Sequence, residues 1–290
     1  MNRYKNLHRI QQLDPEQDAH QIYRTAILVE FHGLWEALTG LQLAFYSTYG
    51  VPAIARQLDH AGELIARPRK RALDTALLML ELVDHGFSHP RGQQVVQRLR
   101  RIHGRYQIDN ADYLYVLGAL MVVPTRWLER YGWRKLCCHE RAATYWFWRE
   151  LGQQLGIQDI PPTYQAFEQW FDAFERDHLR LTAASRRLMQ ASKALLVGRF
   201  PRPLAPVAGA LADALLHERL QGAVGISAPP RPIRVALHRT LRMRARLLGL
   251  RLLPARREPV EAQGHRYGIP ITKIYPSGSY RVADLGPPDP

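Results

Sequence analysis

Arg71, Thr75 and His103 are the residues of this chain whose types and spacing offer the most specific chemistry. Arg71 and Thr75 stand at i and i+4, one turn apart on a helical face shared with Leu78 and Met79, and His103 follows on the apolar side of another predicted helix. There Val95, Val96, Leu99, Ile102 and His103 form one stripe, with Arg98, Arg100, Arg101 and Arg105 around the rest, which points the imidazole inward. A neutral imidazole in an apolar interior is a ready axial ligand for haem iron. An arginine and a hydroxyl on a second helix could serve a propionate, dioxygen or a substrate. The plainer alternative is a hydrogen-bonded core histidine, together with an ion pair between Arg71 and Asp74 at i, i+3.

Other histidines offer less. His85 and His89 have i, i+4 spacing, but Gly86 and Pro90 interrupt any helix between them. Glu175 and His178 form one Glu-x-x-His, whereas a di-iron carboxylate bundle needs two copies and two further glutamates. Glu30 and His32 are too close in sequence to share a helical face. No Gly-x-Ser-x-Gly, P-loop or dinucleotide fingerprint is present, which argues against hydrolase, NTPase and Rossmann readings.

The elements that must position these residues read as helices throughout, because 3.6-residue apolar spacing dominates and β-branched alternation is hard to find. The fold class expected is all-α: a single large helical domain with globin-like or bundle packing, a basic C-terminal helix and an irregular tail. Helices are expected over 21–49, 53–66, 70–84, 91–106, 110–122, 125–131, 140–155, from Tyr164 onward, 204–222 and 231–253. Tyr164, Phe167, Phe171 and Phe174 make an aromatic stripe better suited to core packing than to a ligand box. The expected division is 1–205 as the helical domain carrying the site, 206–255 as basic C-terminal helices, and 256–290 as an extended or disordered tail.

With 40 Lys+Arg against 26 Asp+Glu, the formal charge is +14, so anionic partners enter the argument. Nine arginines lie between Arg231 and Arg257, beside a partial apolar stripe of Ile233, Leu237, Leu241, Leu247 and Leu248. That pattern suits either a solvated basic helix or a helix lying on an anionic membrane surface. Nucleic acid is disfavoured, since no recognised binding motif accompanies the charge. Cys137 and Cys138 are adjacent and cannot staple distant segments, which points to a reducing, cytoplasmic compartment. The first 25 residues lack the pattern of a secretory signal, and the longest apolar run, Tyr113 to Pro124, falls short of a bilayer span. Any membrane contact is therefore expected to be peripheral.

Several short runs, in order, carry a resemblance. They are Arg71-x-x-x-Thr75, His89-Pro90-Arg91-Gly92, Arg101-Ile102-His103-Gly104 and Asn110-x-Asp112-x-Leu114-Tyr115-Val116, then Trp127, Trp133, Phe147-Trp148-Arg149-Glu150, Gly156-Ile157-Gln158-Asp159-Ile160-Pro161 and Tyr164-x-x-Phe167. Together they resemble the MpaB/rubber oxygenase (latex-clearing protein) family, over roughly residues 22–205. The resemblance implies an all-helical fold and, as in the rubber-cleaving members, a b-type haem held by one histidine, with dioxygen splitting a carbon–carbon double bond. It matches His103 to the proximal iron ligand and Arg71 and Thr75 to the distal arginine and threonine. It departs where those members have lysine directly before the threonine and this chain has Asp74, a change in distal charge and proton inventory. The expected function is a haem-b (iron) dependent oxygenase acting on a hydrophobic, unsaturated isoprenoid- or lipid-like substrate, with His103 as metal ligand, Arg71 as cofactor anchor, and Arg71, Asp74 and Thr75 as catalytic residues. The alternative is a non-catalytic helical protein that binds a membrane surface or an acidic partner through its basic C-terminal helix.

Overall fold

The computed structural model describes residues 4–31, 34–250 and 265–288. Among them helix predominates, as the apolar periodicity predicts. A short α1 (Lys5–Ile10) leads to α2 (Ala19–Arg24), which runs into a π-helical turn at Thr25–Glu30 and then to α3 (Leu34–Tyr49). The helix expected over 21–49 is thus interrupted. The region expected at 53–66 is likewise two helices, α4 (Pro52–Ala61) and α5 (Glu63–Ala66), divided at Gly62, whose φ of 70° is left-handed and ends the first of them.

Next come α6 (Pro68–His85) and α7 (Pro90–His103), each opened by a proline at its first position, where the missing N–H costs nothing. α8 (Asn110–Tyr131) corrects the expected break at Pro124, because it continues through the proline as one helix. A proline inside a helix costs about 3 kcal/mol in isolation, and packing offsets that cost here. Gly40 of α3 lies against the ring so closely that an added Cβ would stand 2.8 Å from Pro124 Cβ. α3 and α8 form the most extensive helix pair, and the proline sits inside their contact.

α9 (Cys138–Gln154) and α10 (Tyr164–His178) pack into the same core. The α10 aromatics pack as expected: Phe171 and Phe174 stack on the buried Tyr115 of α8 with ring centroids 5.0 and 4.8 Å apart. α11 (Ala183–Val197) is a helix the sequence reading did not assign, and its buried side is made of Ala184, Ser185, Leu188, Met189 and Ser192. The stretch expected as one helix over 204–222 is two, α12 (Ala205–Ala214) and α13 (Glu218–Ala223), and α14 (Arg231–Gly249) is the basic helix.

Residues 256–264 of the expected tail lie outside the described residues. From 265 to 288 the chain carries only a two-residue antiparallel pair, β1 (His265–Arg266) with β2 (Ile269–Pro270), and a 3-10 turn at Val282–Asp284. This segment is not loose. Tyr267, Ile271, Val282 and Leu285 are buried against the helical core, which modifies the expectation of an extended or disordered tail.

Candidate functional site

Two helices joined by a short turn carry the candidate residues: α6 bears Arg71, Asp74 and Thr75, and α7 ends in His103. After the 104–109 connection, Asp109 caps α8, its carboxylate accepting from the Ala111 N–H at 2.8 Å. That cap sets the first turn of α8 beside the last turn of α7. Tyr113 therefore meets His103, its hydroxyl 2.7 Å from Nδ1 and its ring edge-on at a centroid distance of 5.2 Å. The other ring nitrogen, Nε2, has no hydrogen-bond partner among the described residues.

Burial is the main force on the imidazole, and the nearby Arg71 cation adds to it; together they lower its pKa from 6.5 to about 4. At neutral pH the ring is uncharged, with a lone pair available on one nitrogen. Burial acts on Tyr113 in the opposite direction, raising its pKa and holding it as the neutral phenol.

Arg71 presents the complementary feature. Its side chain makes no hydrogen bond or ion pair among the described residues. Burial pulls its pKa down, while Tyr49, Asp74, Glu63 and Tyr106 act in the other direction. Guanidinium does not deprotonate in proteins, so the chain holds a half-buried cation without a counter-anion in contact. Thr75 lies one turn along the same helix, and its hydroxyl donates to the Arg71 carbonyl at 2.9 Å. With its proton so committed, the Thr75 oxygen keeps its lone pairs for accepting.

Asp74 does not form the ion pair with Arg71 that its spacing allowed. It is buried and saturated by other groups: Oδ2 accepts from Lys70 Nζ at 2.5 Å and from the Gly286 N–H at 2.8 Å, and Oδ1 accepts from the Tyr275 hydroxyl at 2.5 Å. The structure thus brings Arg71 and His103 close enough to interact, keeps Thr75 beside Arg71, and commits both oxygens of Asp74 to Lys70 and the C-terminal segment. Tyr113 escaped the sequence reading, although it fell inside the Asn110–Val116 run as an unassigned position. The available signal was positional, since a histidine ending one helix and a tyrosine in the first turn of the next become neighbours when the connection is short.

A surface depression of about 420 Å³ elsewhere is lined by Ala53, Arg56, Gln57, His60, Gln107, Asp109 and Asp112, and includes none of these residues. Among the described residues no group of three or more His, Cys, Asp or Glu is placed to hold a bare metal ion. Iron at His103 would need ligands from outside the protein, as a porphyrin provides.

Residues 29–247 match the family described as ER-bound oxygenase mpaB/B'/rubber oxygenase, catalytic domain. The ER-bound oxygenase mpaB' of Penicillium brevicompactum is 29% identical over 233 residues, covering 74% of this chain and 54% of that relative. The ER-bound oxygenase mpaB of Penicillium roqueforti (strain FM164) is 28% identical over 228 residues, 72% of this chain and 76% of the relative. The mpaB of Penicillium brevicompactum is 34% identical over 169 residues, 54% of this chain and 42% of the relative. The chain thus spans about half the length of the two Penicillium brevicompactum relatives. The family match contains Arg71, Thr75, His103 and Tyr113 and stops before the segment 265–288 that grips Asp74. With most of its length inside that match, the chain belongs to the mpaB/rubber oxygenase catalytic-domain family.

Proposed function

We propose that this protein is a haem-b-dependent oxygenase that uses dioxygen on a hydrophobic, unsaturated, isoprenoid- or lipid-like substrate and works in peripheral contact with a membrane. The observation that carries the reading is a neutral, buried His103 whose Nε2 makes no hydrogen bond, within electrostatic reach of an Arg71 guanidinium that makes no ion pair, both among the described residues. The names of the relatives, all oxygenases, support the reaction class. Their description as ER-bound supports the membrane setting.

The residues present fit the group. His103 would hold the iron through Nε2. In that tautomer Nδ1–H donates to the Tyr113 oxygen, which fixes the ring's orientation and raises its basicity. Arg71 would pair with a propionate, supplying the charge-assisted contact its own helix denies it. When bound, the haem supplies dioxygen activation. The chain's own contributions are burial by Leu78, Val96 and Leu99, an acceptor oxygen at Thr75, and a second phenol at Tyr49, held by a donated hydrogen bond from Ser192 at 3.1 Å. We assign Asp74 a positioning role at the back of α6 in place of a proton-transfer one, because both its oxygens are already occupied.

Titration of the purified chain with haemin tests the reading. A Soret band saturating at one haem per chain, with iron confirmed by elemental analysis, is the expected result. A protein that stays colourless at excess haemin overturns it. A colourless protein that still sediments with vesicles would favour the alternative, a non-catalytic membrane-binding role through α14.

A further inference from the structure

Among the described residues, the exposed large apolar side chains are concentrated in one region. Of eleven large apolar side chains exposed among the described residues, eight fall between 200 and 250, including Leu204, Val207, Val235, Met243 and Leu247 at 46–56% exposure. Ile233, Val235, Met243 and Leu247 belong to α14 and Val207 to the start of α12, which packs against it, while Phe200 and Leu204 precede α12 and Leu250 follows α14. α14 is anchored on its inner side by Arg244 to Glu36 at 2.8 Å, by His238 to Tyr131 at 2.5 Å and by Arg234 to Glu218 at 2.9 Å. Only Ala245 is fully buried along its length. Its outer side interleaves Val235, Met243 and Leu247 with Arg239, Arg242 and Arg246, which make no ion pair among the described residues, and the helix contains no acidic residue.

A face meant only for water has no reason to present leucine, methionine and valine at half exposure, and a polyanion such as nucleic acid would use the arginines but not those side chains. An anionic bilayer surface uses both, because the apolar groups enter the acyl boundary while the arginine stems lie along it and their guanidinium groups reach the headgroups. We infer that the outer face of α14, extended by the start of α12, docks this protein on anionic lipid headgroups. The inference deepens the peripheral part of the function proposed above and is independent of haem.

The test is flotation of the full chain with phosphatidylcholine vesicles containing 30% phosphatidylserine, against vesicles of phosphatidylcholine alone. Binding should require the anionic lipid and weaken with salt. Each arginine near the surface accounts for about a fivefold effect on partitioning, so Arg239→Ser/Arg242→Ser/Arg246→Ser should lose about 100-fold. Met243→Ser/Leu247→Ser should lose about tenfold on vesicles while leaving heparin binding unchanged. Both variants alter exposed positions and should retain wild-type circular dichroism. Equal attachment to neutral vesicles by wild type and variants would overturn the docking face yet leave peripheral residence standing. Heparin binding without vesicle binding would overturn both.

A different observation carries a second inference. The segment 265–288 lies outside the family match and touches the backs of both site helices. On α6 it meets Asp74 through Tyr275 and Gly286, Glu81 through Arg266 and Tyr280, and Asp84 through the Tyr267 hydroxyl at 3.2 Å. On α7, Arg98 donates to the carbonyls of Leu285 at 2.8 Å and Pro287 at 2.5 Å, and just past the end of that helix Arg105 donates to that of Pro288 at 2.8 Å. The geometry points to a positioning element: the strap fixes α6 against α7 and so sets the place of Arg71 relative to His103. In Tyr275→Phe/Arg98→Met, amides of 98–105 should exchange at least tenfold faster and haemin affinity should fall about tenfold with helix content unchanged. Tyr275→Phe alone should show a smaller effect of the same sign, and Arg98→Lys, which cannot keep both carbonyl contacts, should fall between wild type and the double variant. If strap amides exchange freely while those of α7 and the haemin affinity stay within twofold, the inference is wrong. Should the wild-type chain bind no haemin, the haem reading falls and the exchange of α7 alone decides this one.

Discussion

Replacing His103 with alanine is expected to weaken haemin binding by more than 100-fold and to abolish the ligand-dependent part of the Soret spectrum, with helix content retained. The argument is local. Nε2 is the only nitrogen of this ring left open once Nδ1 is engaged by Tyr113, and no bare-metal cluster among the described residues offers a substitute ligand. Tyr113→Phe removes only the partner that orients the ring, and losing such a partner costs about 10- to 100-fold in affinity for a bound metal. The two variants should therefore rank in that order, and equal binding by wild type and His103→Ala would sink the assignment. The protonation state gives an independent check. Because the folded-state pKa of His103 is depressed to about 4 from 6.5, the native form binds fewer protons than the unfolded form between these values. Its stabilising contribution is complete above about pH 6.5 and is lost as pH falls toward 4. His103→Ala should show a shallower loss of stability over that window in urea titrations of the haem-free protein. Haemin binding by the wild type should stay flat down to about one unit above that pKa, because proton competition begins only there.

What the sequence makes legible is the part of the structure written in local periodicity. The inward stripe ending at His103, the face shared by Arg71 and Thr75, and the aromatic side of α10 all follow from 3.6-residue spacing, and they occur where the spacing places them. Tertiary packing decides what local rules leave open. Pro124 reads as a break, yet Gly40 gives its ring a groove and α8 runs on. α11 has its apolar residues diluted by Ser185, Arg186, Arg187 and Ser192, so its periodicity is faint although its inner side is fully buried. The C-terminal segment has a Pro- and Gly-rich composition that predicts little packing. Its order comes from pairings some 200 residues apart, Asp74 with Tyr275 and Glu81 with Tyr280, which no local window contains. The same long-range pairing explains Asp74. Its i+3 spacing from Arg71 is compatible with an ion pair, but Lys70 on the preceding turn and the strap's hydroxyl and amide take the carboxylate instead.

Glu81→Ala is expected to be among the most destabilising single substitutions in the chain, costing about 3–5 kcal/mol, the usual penalty for breaking one side of a buried ionic network. Glu81 is completely buried, and its carboxylate accepts from both Nε and Nη2 of Arg91, from the Tyr280 hydroxyl at 2.6 Å and from Arg266 at 3.2 Å. Removing it takes away the carboxylate that Arg91, Arg266 and the Tyr280 hydroxyl share where α6, α7 and the strap meet. For a chain of this size the loss corresponds to a fall in melting temperature on the order of 10 °C. Burial alone would raise the Glu81 pKa, but the hydrogen bonds from Arg91 and Tyr280 and the charges of Arg266 and Arg91 outweigh it, and the net shift is downward from 4.5. The unfolded chain therefore binds the proton first as pH falls. The stabilisation is present in full above about that value and is lost as pH drops through the folded-state pKa. Urea unfolding of Glu81→Gln should accordingly differ most from wild type at pH 7 and converge with it as the medium is acidified. A gap that stays constant with pH would mean that the ionised carboxylate is not what joins the strap to the two helices.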